Sequence, residues 1–292
     1  MEAREEMSEV QQQESPGTLY LSATPIGNLE DMTYRSVRIL AEVELIAAED
    51  TRHTRKLLAH YDIHTRLTSY HEHNKFTKGP ELVEYLKQGH DLVCVSDAGL
   101  PGIADPGSHL AELAIAEGIR VTPLPGANAA LSALICSGLD TTRFSFVGFL
   151  PKTSRKRREV LDEVKNHRET LLFYEAPHHL KGTLKEIAAV LGGQREAAAA
   201  RELTKKFEEF RRGTLDELLL YFTRQEPRGE FVIIVSGAAE ISEAETAEPE
   251  LSAAELVAGL QAQGLDKKSA MRETAKKLGV SRRDVYQALL GQ

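Results

Sequence analysis

Short apolar strands that end in turns rich in glycine and proline constrain the fold of this chain most. Three such turns directly follow predicted strands, at residues 23–28 (ATPIGN), 96–102 (SDAGLPG) and 124–128 (LPGAN). Helical segments of 10–15 residues separate the strands in this half of the chain. Strands that alternate with helices are typical of an α/β fold with a mainly parallel sheet.

Shifts in composition along the chain predict five segments. A polar, disordered tail (1–17) precedes an N-terminal α/β domain (18–127) and a second α/β domain (128–238). An acidic linker (239–251) then leads to a three-helix unit (252–292) whose LGVSRRDVYQ segment is typical of a helix-turn-helix. Within that unit, glycine is expected to end two helices and serine to begin the last one.

The negative charge of the chain is concentrated in two segments that the composition predicts to be flexible. The net charge is −8 over 292 residues, but residues 1–17 carry −4 and residues 238–255 carry −6. The remaining residues therefore carry +2, and an acidic isoelectric point is no argument against a nucleic-acid partner. No apolar stretch approaches the roughly 20 residues that span a bilayer, and no secretory signal precedes the first strand. We therefore predict a cytoplasmic protein without a membrane partner.

Neither the cysteines nor the histidines predict a metal site. Cys94 and Cys136 both lie in apolar segments, LVCVS and ALICSG, and are predicted to be buried thiols in a reducing compartment. His71 and His73 are two residues apart, without further ligands at a spacing that zinc sites use. We therefore predict no metal.

The loop at residues 96–107 is the most unusual stretch of the sequence. It holds three glycines, two prolines and two aspartates, Asp97 and Asp105, in twelve residues. Such a loop is expected to be rigid and to fix backbone amides and carboxylates in place. Carboxylates suit a sulfonium or amine better than a phosphate, so the loop points towards S-adenosylmethionine. None of the turns matches a dinucleotide-binding or P-loop motif.

Two strand ends carry candidate catalytic residues. Asp50, Arg52 and His53 follow one predicted strand, and Glu175 ends another. Each is a candidate general base or substrate clamp. The alternative is helix capping and surface pairing, which Asp50 in particular would suit. The sequence does not choose between the four.

Three basic clusters favour contact with a phosphate backbone. The first follows the strand FSFVGFLP and the second follows ARELT; the third lies in the C-terminal helices at Lys267, Lys268, Arg272, Lys276, Lys277, Arg282 and Arg283. The predicted RNA-binding residues of the first two clusters are Lys152, Arg155, Lys156, Arg157, Arg158, Lys205 and Lys206.

Taken together, residues 18–237 resemble the tetrapyrrole methylase superfamily, and more narrowly its branch that methylates ribosomal RNA. The matching stretches are LYLSATPIGNLEDMTYR, LIAAEDTRHTRKLL, SYHEHN, VSDAGLPGIADPG, PLPGANAALSAL, GFLP, FYEAPHHL and ARELTKKFEE. Tetrapyrrole-modifying members usually carry GxGPG after the first strand, where this chain has ATPIGN. Leu100 departs from the branch, which commonly has threonine in SDAGTPG.

This resemblance implies a two-domain α/β enzyme, a class III methyltransferase, that binds S-adenosylmethionine between its domains and forms a homodimer. The implied reaction is methylation of the 2′-oxygen of cytidine 1402 of 16S ribosomal RNA, in the assembled 30S subunit. Matching the superfamily's cofactor contacts to this chain gives Asp97, Ala98, Gly99, Leu100, Asp105, Pro125, Gly126, Asn128, Ala129, Tyr174, Ala200, Arg201 and Leu203.

Two other functions fit parts of the sequence. A superfamily relative that acts on a tetrapyrrole, a diphthamide precursor or another small molecule would share the fold, but the missing GxGPG turn and the basic clusters argue against it. A DNA-binding regulator would use the C-terminal helices for recognition and the α/β body as a ligand sensor. Against it, the body carries more polar strand-end motifs than a mere scaffold needs.

Overall fold

The structure is a computed structural model that describes residues 15–239 and 252–290. The chain divides into two compact units, Met1–Ala238 and Ala239–Gln292. The predicted tail and acidic linker lie almost wholly outside the described residues. Within the described ranges, no helix is long and apolar enough to cross a membrane.

The first sheet of the larger unit has five strands in the order β3-β2-β4-β1-β5, and all its pairings are parallel. Helices connect the strands, as the sequence predicts. The strands are β1 Thr18–Ser22, β2 Leu45–Ala48, β3 Arg66–Ser69, β4 Leu92–Val95 and β5 Arg120–Leu124. The helices are α1 Tyr34–Glu42, α2 Thr51–His60, α3 Lys75–Lys87 and α4 Gly107–Ala116.

Strand β4 shows why this sheet is parallel and buried. Leu92 and Cys94 pack into the core on one face of the sheet, while Val93 and Val95 pack into the core on the other. Successive side chains of a strand alternate between faces, so a run of apolar residues fits a strand that helices cover on both sides. Cys94 is buried, as predicted.

The second sheet also has five strands, in the order β6-β7-β10-β8-β9. Its strands are β6 Phe144–Phe149, β7 Thr170–Glu175, β8 Glu196–Arg201, β9 Glu209–Thr214 and β10 Phe231–Val235. Its helices are α5 Ala129–Ile135, α6 Ser154–Val164, α7 Leu180–Leu191 and α8 Leu215–Arg224. Each half of the unit thus has its own sheet, and the predicted domain boundary at 127/128 remains a proposal.

The parallel arrangement of the first sheet does not continue in the second. Strand β6 is parallel to β7, but β10 runs antiparallel to both β7 and β8, and β8 runs antiparallel to β9. Residues 202–208 connect β8 to β9 without a helix, which only antiparallel neighbours permit at that length.

The prediction for Cys136 was wrong: it follows the last residue of α5 and is exposed, because Ala130, Ala133 and Leu134 form the buried face of that helix.

The C-terminal unit contains three helices, α9 Ala253–Ala262, α10 Lys267–Leu278 and α11 Arg282–Leu290. They enclose a small core of Val257, Ala270, Met271, Ala275 and Val285. Gly279 ends α10 in a left-handed conformation, with φ +65°. The hydroxyl of Ser281 accepts a hydrogen bond from the amide of Asp284 at 3.2 Å and so caps α11. Both termini are as the sequence predicts.

Candidate active site

A cleft of about 460 Å³ is lined by residues from both sheets. Its walls come from the turns after β1, β2 and β5, the loop after β4, the carboxyl ends of β6, β7 and β8, and the start of the antiparallel strand β10. This volume lies within the range of small-molecule sites, and the carboxyl ends of strands are where open α/β sheets bind ligands.

Most of the predicted cofactor residues line this cleft. They are Asp97, Ala98, Gly99, Leu100, Asp105, Asn128, Ala129, Tyr174, Ala200 and Leu203. Pro125, Gly126 and Arg201 do not line it. A β-carbon on Gly126 would lie 2.7 Å from Cβ of Ala23, so this glycine allows two turns to pack closely. Arg201 forms an ion pair with Glu209 at 3.1 Å.

Asp105 holds the loop after β4 in shape. Its Oδ1 accepts hydrogen bonds from the amides of Gly102 at 2.8 Å and Gly107 at 2.7 Å. Burial raises the pKa of Asp105, against the effect of these amide hydrogen bonds. At the start of the loop, Gly99 and Thr24 exchange two backbone hydrogen bonds, of 2.9 and 3.1 Å. The loop is therefore tied both to itself and to the turn after β1.

Two carboxylates, Glu49 and Asp97, lie close together in the cleft. The amide of Asp97 approaches Oε2 of Glu49 at 3.5 Å, and Oδ1 of Asp97 accepts the amide hydrogen of Asp50 at 2.9 Å. Burial, together with the negative charge of Asp97, raises the pKa of Glu49. A cationic ligand would relieve this repulsion. The pair therefore fits the positively charged sulfonium or amino group of S-adenosylmethionine.

Three of the four candidate catalytic residues lie outside the cleft lining. Asp50 caps α2 by accepting the backbone amide hydrogen of Arg52 at 2.8 Å, and its Oδ2 lies 2.6 Å from Nη2 of the same arginine. These hydrogen bonds hold the pKa of Asp50 well below its usual range. A carboxylate with so low a pKa is a poor general base. Arg52 and His53 are exposed on α2.

Glu175 is the candidate that lines the cleft. It ends β7 and is buried. Its Oε1 accepts the amide hydrogen of Ala176 at 2.8 Å, and its Oε2 accepts the hydroxyl of Thr183 on α7. These bonds fix the carboxylate at the wall of the cleft.

Lys205 also lines the cleft, where the sequence predicts only an RNA contact. Its Nζ lies 2.9 Å from Oε1 of Glu202 and 2.9 Å from Oε2 of Glu230. Burial alone would lower the pKa of Lys205, but the hydrogen bonds to the two carboxylates raise it. A lysine ammonium has three N–H donors, so one remains for a ligand. Glu202 and Thr204 hold this loop with left-handed φ values of +50° and +66°.

The basic cluster after β6 divides into two kinds of residue. Arg157 is only 14% exposed and pairs with Glu186 through two hydrogen bonds of 2.6 Å. Its role is to join α6 to α7. The other cations of the cluster are exposed at the start of α6: Lys152, Arg155, Lys156 and Arg158. Lys206 is exposed too, with its Nζ 5.7 Å from the ring centroid of Phe207.

Several cleft residues are absent from the predicted set. They are Ile26, Glu49, Ser96, Ile103, Ala104, Phe149, Ala176, Glu230, Phe231 and Val232. Glu49 and Phe149 lie within motifs that the sequence singles out, AAEDTRH and GFLP. Glu230 carries no such signal. In the described part of the chain, no group of three or more His, Cys, Asp or Glu side chains could hold a metal ion.

Comparisons with known proteins agree with this architecture. A family model for tetrapyrrole (corrin/porphyrin) methylases matches residues 18–219. A protein named ribosomal RNA small subunit methyltransferase I from Halalkalibacterium halodurans is 51% identical, over 94% of this chain and 96% of its own. The proteins of the same name from Bacillus subtilis and Synechocystis are 47% and 46% identical, and each covers at least 93% of both chains.

Solved structures share the fold at low identity. A diphthine synthase superposes with a TM-score of 0.59 at 13% identity, covering 75% of this chain and 89% of its own. A uroporphyrin-III-C-methyltransferase from Thermus thermophilus superposes with a TM-score of 0.54 at 19% identity, covering 75% and 94%. At these identities the likeness concerns the fold alone.

Proposed function

Because the chain belongs to the tetrapyrrole (corrin/porphyrin) methylase family and is an S-adenosylmethionine-dependent methyltransferase, we propose that its substrate is ribosomal RNA. The observation that carries this proposal is the 51% identity to a ribosomal RNA small subunit methyltransferase I over 94% of the chain. The proposed substrate is 16S ribosomal RNA in the 30S subunit, and the proposed acceptor is the 2′-oxygen of cytidine 1402, as the motif resemblance implies.

The residues of the cleft suit binding of the cofactor. Glu49 and Asp97 would attract its positive charges, and the loop fixed by Asp105 would present backbone amides. S-adenosylmethionine supplies a methyl group bonded to a positively charged sulfonium sulfur. That sulfur leaves readily as a neutral thioether, so the methyl donor is already activated. The protein therefore has mainly to position the acceptor oxygen in line with the methyl group.

The cleft also offers groups for the acceptor hydroxyl. Because its pKa is raised, Lys205 stays protonated and would donate its third N–H to the reacting oxygen rather than act as a base. Of the four candidate catalytic residues, Glu175 is the one in the cleft lining, so we assign it to accept the hydroxyl proton as the oxygen bonds to the methyl carbon and the sulfur–methyl bond breaks. Asp50 and Arg52 then serve as a helix cap and its partner.

Exposed cations would bind the RNA backbone. Those at the start of α6 follow a cleft residue, Phe149, closely in the sequence, and seven more are exposed on α10 and α11. Lysine and arginine that neutralise phosphates release counterions, so binding should weaken steeply as salt rises. The resemblance also implies a homodimer, and the sequence itself predicts a cytoplasmic location; we keep both as part of the proposal.

The test is methyl transfer from radiolabelled S-adenosylmethionine to three substrates: 30S subunits that lack the modification, free 16S RNA, and uroporphyrinogen III. We expect label in the subunits, well above that in free RNA, and none in the tetrapyrrole. Label in the tetrapyrrole alone would overturn the proposal in favour of a small-molecule enzyme. No label in any RNA, from protein shown to bind the cofactor, would also overturn it.

A further inference from the structure

An exposed aromatic side chain stands at the wall of the cleft. Phe149 is the last residue of β6, is 59% exposed and lines the cleft. Burial of a phenylalanine ring is strongly favourable, so an exposed ring at a binding site suggests that a ligand covers it. The inference that follows rests on the proposed function and concerns how the target nucleotide is held.

The backbone of β6 is built to place this ring. Phe146 and Phe149 are three residues apart, so a regular strand would direct them to opposite faces of the sheet. The pairing of β6 with β7 shifts in register between Phe146 and Gly148, and Gly148 has φ +74°. Such a bulge re-aims the side chains that follow it.

As a result of the bulge, both phenylalanine rings contact the same tyrosine. The ring centroids of Phe146 and Phe149 lie 5.0 and 5.4 Å from that of Tyr174, at interplanar angles of 73° and 63°. These are favourable edge-to-face distances. Tyr174 itself lines the cleft and is partly buried on β7. The three rings form an aromatic cluster that fixes Phe149 while leaving more than half of it open.

The charge of the cleft limits which part of a nucleotide can enter. The charged side chains of its lining are five carboxylates and one lysine: Glu49, Asp97, Asp105, Glu175, Glu230 and Lys205. A cationic cofactor is favoured there, whereas an RNA phosphate would meet net repulsion. A neutral base and its ribose meet no such penalty.

The phosphates have a favourable place just outside. Lys152 follows Phe149 by three residues, so their Cα atoms are at most about 11 Å apart. Arg155, Lys156 and Arg158 come next on α6, and all four cations are exposed. One short segment therefore presents an aromatic ring to the cleft and positive charge beside it.

We infer that Phe149 is the stacking surface for the base of the target nucleotide, which leaves its own RNA stack to enter the cleft. Enzymes that modify a nucleotide inside structured RNA or DNA commonly extrude it, and aromatic side chains stack on the unstacked bases. The cations of α6 hold the flanking phosphates. The ribose of the stacked nucleotide then faces the cofactor.

The test compares Phe149→Ala, Phe149→Leu and Phe149→Trp, with Phe144→Ala as the matched control. Phe144 lies on the same strand, is 42% exposed and is not in the cleft lining. For each variant we would measure the cofactor Kd by calorimetry and kcat/KM with unmodified 30S subunits. We expect Phe149→Ala to lower kcat/KM about ten- to one hundred-fold, as expected for loss of one stacked base. Its cofactor Kd should stay within about two-fold, which also shows that it folds.

Phe149→Trp should retain most of the activity and Phe149→Leu should not, because leucine is apolar but has no π-face. Wild-type activity in Phe149→Ala or Phe149→Leu would overturn the stacking role while leaving the proposed function intact. An equal loss of cofactor affinity would overturn it too, because the ring would then belong to the cofactor site. If the unsubstituted protein labels no RNA, the proposed function fails, and this inference fails with it.

Discussion

Gly27 packs directly against the side chain of Lys205. A β-carbon at Gly27 would lie 2.4 Å from Cγ of Lys205 and 3.0 Å from Oγ1 of Thr204. Gly27 belongs to the turn after β1 in the first sheet, and Lys205 to the loop after β8 in the second. This contact helps to keep the lysine in the cleft, beside Glu230.

Gly27→Ala should therefore disturb both stability and the site. The added methyl must displace the lysine near its backbone, where it has little freedom to move, and overpacking of this kind costs about 1–3 kcal/mol. We expect a lower midpoint of denaturation and lower activity, measured by chemical denaturation and by methyl transfer. Gly182→Ala is the control, because a β-carbon there meets nothing within 4 Å on α7. Equal effects of the two substitutions would contradict the packing role of Gly27.

Asp97 should contribute its charge to cofactor binding. Asp97→Asn keeps a side-chain oxygen for the amide of Asp50 but removes the negative charge, whereas Asp97→Ala removes both. We expect the cofactor Kd of each variant, measured by calorimetry, to rise by about ten-fold or more, and Asp97→Ala to bind the cofactor more weakly than Asp97→Asn. The unfolding temperature of Asp97→Asn should not fall, since Asp97 is exposed and its charge repels Glu49. Unchanged cofactor affinity in Asp97→Asn would show that the charge plays no part.

Cofactor affinity should rise with pH through the titration of Glu49. Its pKa in the folded protein is raised above its ordinary value of 4.5, so the group gives up its proton only at higher pH. A cationic cofactor prefers the ionised carboxylate, so affinity should increase from about pH 4.5 upwards until that titration is complete. Calorimetry across this range measures the effect.

The raised pKa of Glu49 has the opposite effect on the stability of the cofactor-free protein, which should fall as pH rises. A carboxyl whose folded pKa is raised binds more protons in the folded than in the unfolded state, so its contribution to stability falls as pH rises through that window. Glu49→Gln should flatten the dependence of affinity on pH and raise the unfolding temperature of the cofactor-free protein at neutral pH. A lowered unfolding temperature would contradict the repulsion between Glu49 and Asp97.

The sequence predicts the parts of the site that lie within one motif. Asp97, Asp105 and the glycines between them belong to one loop, so composition alone reveals its rigidity. The second sheet is harder to predict, because β10, last in sequence, lies between β7 and β8 and brings Glu230 into the cleft. No local pattern encodes that insertion.

Ion-pair partners that are distant in sequence explain why two of the predicted RNA-binding residues have other roles in the structure. The cluster at residues 152–158 reads as uniformly basic, yet Arg157 pairs with Glu186, which is 29 residues away. Lys205 similarly donates a hydrogen bond to Glu230, 25 residues away, and lines the cleft. A run of charges in a sequence shows neither which members are already paired nor which remain available for a ligand.

This distinction predicts different phenotypes within the basic cluster. Arg157→Ala should lower the free energy of unfolding by about 2 kcal/mol, because it leaves the partly buried Glu186 without its two charged hydrogen bonds. Replacing Lys152, Arg155, Lys156 and Arg158 together by alanine should leave cofactor affinity unchanged and change stability little, because the ion pairs of Arg155 with Glu159 and of Arg158 with Asp162 are exposed. That variant should bind 30S subunits more weakly and with a shallower dependence on salt. Methylation at the wild-type rate across salt concentrations would contradict an RNA-binding role for this surface.

Identifying the RNA atom that receives the methyl group tests the central claim most directly. Unmodified 30S subunits would be treated with the protein and S-adenosylmethionine, and their 16S RNA mapped by alkaline cleavage and by mass spectrometry of nucleosides. We expect one position, cytidine 1402, to resist alkali, and the labelled nucleoside to be 2′-O-methylcytidine. A methyl group on a base, or alkali resistance at another nucleotide, would contradict the account.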